Sequence, residues 1–162
     1  MVNYSFYILA KKQGSENVSF KACMSEWHEL LYTMCPVFSN DITTLGFDRA
    51  TVLDATELEM LDQISFDEQA MSITEEYETY RAPNYYDTNA WIRLIKKIEQ
   101  AYLERQKEKY FTDLKLNIDD EKGLSRAIRQ IRVDQFQFVQ IKQTLEIARD
   151  NNMEVAFTIA DY

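Results

Sequence analysis

The chain opens and closes on strand-like segments, and most of what lies between repeats apolar residues at helical spacing. Few fold classes accommodate that arrangement. Residues 3–10 are rich in Tyr, Phe and Ile and predict a strand. Residues 153–161 alternate, with Met153, Val155, Phe157 and Ile159 on one side, which predicts a half-buried terminal strand. We therefore expect an α+β fold in a single domain over residues 1–162. Its sheet is small, mostly antiparallel, includes the N- and C-terminal strands as candidate neighbours, and is packed by four or five helices.

Between the two ends, residues 11–19 carry Gly14 and Ser15 and predict a loop or hairpin turn. From Phe20 the apolar residues Phe20, Cys23, Met24, Trp27, Leu30, Leu31 and Met34 recur at steps of three and four. This predicts a helix that Pro36 stops. Residues 37–52 are irregular, with a short strand expected at 42–47. Asp54 is a natural N-cap for a helix over 55–64 that turns Leu58, Leu61 and Ile64 inward and holds Glu57 in its first turn. Residues 72–81 fit either a short helix or a strand, and residues 81–89 are turn-rich. Asp87 or Thr88 should cap the longest helix, 89–110, on a stripe of Trp91, Leu94, Ile95, Ile98, Ala101 and Tyr102. One further helix is expected from Asp119 or Asp120 and another over 134–150, ended by Asn151 and Asn152.

Composition removes several chemistries. Three glycines, far apart at positions 14, 46 and 123, offer little from which to build a phosphate-cradling loop. Cys23 and Cys35 are too few and wrongly spaced for a disulfide scaffold or a zinc site. No stretch approaches the roughly 20 apolar residues that span a bilayer. The first apolar run has its lysines on the wrong side for a signal peptide, so a cytoplasmic location and no membrane partner are expected.

His28 is the sole histidine. In His28-Glu29-Leu30-Leu31-Tyr32, a tyrosine stands where a zinc metallopeptidase helix needs its second histidine. On a helix, Cys23 would diverge from His28 by about 140°, which disfavours a thiol–imidazole pair. The run from Asn117 to Gly123 has its glycine one position late for a calcium loop and Ile128 where a bidentate glutamate is required. It reads better as a helix start. No metal, no other cofactor and no catalytic residue is therefore expected, and the chain reads as a non-enzyme. A small carboxylate-based enzyme using His28 remains a second alternative.

Charge is the outstanding functional signal. Twelve acids and two arginines lie between Asp41 and Asp87, so that window exceeds the whole chain's net charge of −9, and the remainder is close to neutral. Acids at Asp54, Glu57, Glu59, Asp62, Asp67, Glu68, Glu75, Glu76 and Glu78 are interleaved with, or followed by, Tyr77, Tyr80, Tyr85 and Tyr86. Carboxylates steer a basic partner, and aromatic rings anchor it at low entropic cost. These thirteen residues are the expected partner-binding set. The expected partner is a basic protein, such as a nuclease or another nucleic-acid-handling protein, which this chain would dock on and block. Immunity proteins against nuclease toxins and phage-encoded anti-defence inhibitors are similar in charge and size, without a shared motif.

Lys122, Arg126, Arg129 and Arg132 give the helix over 122–132 a basic outer face, with Leu124, Ala127, Ile128 and Ile131 opposite. A nucleic-acid-binding or regulatory module built on that helix is the first alternative. The overall negative charge opposes direct binding of nucleic acid. A structural subunit of a larger assembly is a third.

Overall fold

A computed structural model describes residues 4–26, 49–62, 64, 84–113 and 119–161. Its sheet has four strands: β1 (Tyr4–Lys12), β2 (Phe20–Glu26), β3 (Tyr86–Asp87) and β4 (Met153–Asp161), in the order β2-β1-β4-β3. All three pairings are antiparallel. The first and last strands are indeed neighbours. They run in unbroken register from Tyr4 opposite Asp161 to Lys12 opposite Met153.

The hairpin from β1 to β2 turns through Gly14, whose φ of 78° supplies the left-handed backbone that a side chain resists. The Ser15 N–H closes the turn on the Lys12 carbonyl at 3.0 Å. Residues 20–26, expected to start a helix, form β2 instead. Phe20 pairs with Ala10 and Ala22 with Ile8. The register slips between Phe6 and Tyr7, leaving Met24 as the extra residue of a bulge. The apolar spacing that suggested a helix therefore spans a strand with an irregular register, and pairing to β1 overrides the local period.

One face of the sheet carries Ala22, Ile8, Ala10, Val155, Phe157 and Tyr86 into the main core. The opposite face is also shielded: Leu9, Ala156 and Thr158 are all buried. β4 is thus covered on both sides over 155–158, where the sequence suggested half-burial.

Helices α1 (Arg49–Val52), α2 (Ala55–Asp62), α3 (Thr88–Glu108) and α4 (Glu121–Asp150) complete the described elements, with one π-helical stretch, Lys109–Asp113, continuing α3. The single turn α1 falls in a stretch expected to be irregular. The expected strand at 42–47, the remainder of the expected helix beyond Glu26, and the ambiguous stretch 72–81 lie outside the described residues.

α3 is anchored to β4 at its first turn. The Thr88 hydroxyl donates to the Met153 carbonyl at 2.5 Å, and the Trp91 indole N–H donates to the Val155 carbonyl at 2.8 Å. Trp91 also packs at a tilt against Phe157 with centroids 4.3 Å apart, and Tyr86 meets it edge-on at 5.8 Å. Asp87 occupies the N-cap position without a side-chain capping bond. Of the expected stripe, Trp91, Leu94, Ile95, Ile98 and Tyr102 are buried and Ala101 is half-buried.

The last two expected helices are one. α4 runs for 30 residues, about 45 Å at 1.5 Å per residue. Asp120 caps it, accepting from the Gly123 N–H at 3.0 Å, as a helix start rather than a calcium loop requires. Ala127, Ile131, Asp134, Phe138, Ile141, Leu145 and Ala148 follow a 4-3 alternation, the spacing of a seam packed along one side of a helix. All but the half-buried Ile131 are buried. Tyr102 against Phe138 and Lys142 against Glu99 set α3 and α4 antiparallel. Asp134, expected to begin a separate helix, lies mid-seam at 3% exposure, where Gln130 donates to it at 3.1 Å. Asn151 and Asn152 do end the helix, Asn152 adopting φ 55°, which asparagine tolerates better than most residues.

Candidate functional site

The acidic segment is described at α2 and again at β3. α2 starts with a reciprocal capping box: the Glu57 N–H donates to Asp54 Oδ1 at 2.8 Å, and the Asp54 N–H donates to Glu57 Oε1 at 3.0 Å. The same Glu57 oxygen receives Lys97 Nζ from α3 at 2.5 Å. Glu57 is only 6% exposed. Expected on an outward binding face, it is instead a scaffold residue. Its carboxylate satisfies an orphan donor of the helix terminus and holds α2 to α3.

Asp54 is exposed, and its carboxyl lies below the ordinary value near 3.8. The backbone hydrogen bond from Glu57 is the largest cause, and the Lys97 charge adds to it against some desolvation. Glu59 and Asp62, one helical turn apart, are exposed. Tyr86 is half-buried against Trp91, and its hydroxyl pKa is raised, first by burial and second by the Glu59 carboxylate. The Glu59 charge is thus felt at the ring that opens β3. Tyr85 is half-buried with Lys11 Nζ 4.4 Å from its ring centroid, while Lys11 pairs with Glu154 at 3.3 Å. Tyr85 is thus engaged within the fold. Asp67, Glu68, Glu75, Glu76, Tyr77, Glu78, Tyr80 and His28 lie outside the described residues.

A second feature was not anticipated. A cavity of about 720 Å³ runs beside the first four turns of α4, and its described lining includes Leu124, Ile128, Arg129, Arg132, Val133 and Phe136. Ile128, expected on the packed side, is 40% exposed, Val133 46% and Phe136 60%. These residues recur at steps of three to five along the side of α4 away from the seam. The sequence signal was present, since α4 has apolar residues on two sides. It was masked by treating 134–150 as a separate helix, which cut Phe136 from the stripe.

Among the described residues, no three His, Cys, Asp or Glu side chains gather to hold a metal ion, and no helix is long and apolar enough to cross a membrane. The described acids chiefly cap, bridge or face outward. No protein-family model, curated protein or solved structure matches the chain.

Proposed function

We propose that this chain works by binding and not by catalysis, docking on a basic protein surface and blocking it through its acidic segment. The outward exposure of the α2 carboxylates carries the reading, with the half-buried Tyr86 ring, which feels the Glu59 charge, at the start of β3. Asp54, Glu59 and Asp62 extend that surface along α2, and all three are exposed. Such a patch combines long-range steering of a cationic partner with a ring that contributes contact area. Glu57 takes no part in contact and holds the patch to α3. Asp67, Glu68, Glu75, Glu76, Tyr77, Glu78 and Tyr80 are the further candidates in the same segment. A nuclease or another protein with a phosphate-binding groove is the kind of target such a surface suits, since carboxylates can occupy positions that phosphates would.

The test is affinity capture with the immobilised chain, washed at low and high salt, beside a Glu59→Lys, Asp62→Lys double variant. Capture of a Lys- and Arg-rich protein, lost at high salt and lost in the double variant, is the expected outcome. Retention that charge reversal leaves unchanged would refute the assignment to this segment.

A further inference from the structure

The cavity beside α4 has an apolar floor and a cationic margin, and each element of that chemistry narrows what can occupy it. Leu124, Ile128, Val133 and Phe136 supply the floor, and Arg129 and Arg132 line the same space, with Glu121 at the end nearest the start of α4. Three of the four floor residues, Ile128, Val133 and Phe136, are substantially exposed. The stripe spans about 18 Å of helix, the rise at 1.5 Å per residue from Leu124 to Phe136. We propose that this groove receives an amphipathic helix of a partner protein, with large aliphatic residues on one face and glutamates or aspartates flanking them.

Charge decides between this occupant and two others. A second copy laid antiparallel on the stripe would bring Arg129 and Arg132 against the arginines of its twin, with Arg126 nearby, and like charges facing each other are costly. Nucleic acid would find cations but would cover Phe136, Ile128 and Val133 with a phosphate backbone that gains nothing from them. An acidic amphipathic helix matches both elements: its aliphatic residues fill the floor at i, i+3, i+4 and i+7, and its carboxylates reach the two guanidinium groups. This surface lies on a different element from the acidic segment, so it stands or falls independently of the function proposed above.

The experiment uses the full chain and two fluorescein-labelled synthetic peptides, each about 18 residues long and so long enough to cover the stripe as a helix. Both carry leucines at helical spacing; one has glutamates on its flanks and the other lysines. Anisotropy titration should show saturable binding of the glutamate peptide alone. Phe136→Asp and the Arg129→Glu, Arg132→Glu pair should each weaken it by about tenfold or more, the scale of an anchor residue. Thermal melts of the variants should match the parent, because every substituted side chain is exposed; a lowered melt for Phe136→Asp leaves the arginine pair as the deciding variant. Equal binding of both peptides, or no binding of the glutamate peptide, would overturn the proposal. So would a concentration-dependent dimer abolished by Phe136→Asp, which gives the groove to a second copy. Displacement of the peptide by single-stranded DNA, lost in the arginine pair, would reassign the surface to phosphates.

Discussion

Glu57 and Lys97, forty residues apart in sequence, meet at 2.5 Å and join the short acidic helix to the long helix α3. Glu57 simultaneously accepts the Asp54 N–H, so one carboxylate closes a helix terminus and a tertiary contact. Its two roles separate by substitution. Glu57→Gln keeps an acceptor for Asp54 and removes the charge, whereas Glu57→Ala removes both. Because Lys97 is 43% exposed and regains water readily, loss of the ion pair alone should cost well under the capping loss. We expect Glu57→Ala to destabilise by about 1–2 kcal/mol, the scale of a lost cap, with Glu57→Gln near or below half of that. Urea denaturation of both variants measures the difference. A larger loss for Glu57→Gln than for Glu57→Ala would contradict the capping role.

Acid should loosen α2 through Asp54. Its folded carboxyl titrates below the ordinary value, with the Glu57 backbone hydrogen bond as the first cause, so the folded state favours the ionised form. The associated stability is therefore complete above the unfolded value near 3.8 and disappears as pH falls through the lower folded value. Asp54→Asn retains a capping oxygen but does not titrate. Its stability should consequently change less than the parent's between pH 5 and pH 3, measured by denaturant midpoint at each pH. Parallel curves would remove Asp54 as the source.

Trp91 ties α3 to β4 by a hydrogen bond as well as by packing. Trp91→Phe keeps an aromatic ring against Phe157 but cannot donate to the Val155 carbonyl, and should cost about 1–3 kcal/mol. Trp91→Ala should cost about 3–5 kcal/mol, since it also empties the fully buried site. Equilibrium unfolding distinguishes them, and near-equal losses would show that packing contributes little beyond the bond.

Tyr86 should ionise late. Burial is the larger cause and the Glu59 charge the smaller, so Glu59→Gln should bring its titration only part of the way back toward an ordinary tyrosine. The difference in alkaline absorbance titration between the parent and Tyr86→Phe isolates this one phenol among ten. A folded value raised in this way means that the contribution to stability is full below about pH 10 and lost as pH rises through the folded value. If Glu59→Gln leaves the titration where it was, Glu59 and Tyr86 do not share a surface.

Much of the architecture could be read before any coordinates. The alternation at 153–161, the stripe from Trp91 to Tyr102 and the caps at Asp54 and Asp120 all became the elements their local chemistry implied. Local signals sufficed for element type there because propensity and capping agreed, although β4 is buried on both faces where alternation suggested one. They failed where two periods competed. Phe20 to Glu26 could bury apolar side chains as a helix, and pairing with β1 took the segment as a strand. Residues 134–150 read as a separate helix, yet Asp134 lies inside a continuous one.

The same division runs through the candidate site. Charge segregation and the position of the acidic segment are properties of the sequence alone, because they depend only on which residues occur where. Which carboxylates face outward depended on tertiary contacts: Glu57 turned inward because Lys97 arrives from a helix forty residues away. The exposed stripe of α4 was likewise decided by packing. A helix with apolar residues on two sides can bury only one of them against α3, and the seam led by Phe138 and Leu145 packed more completely than the face bearing Phe136.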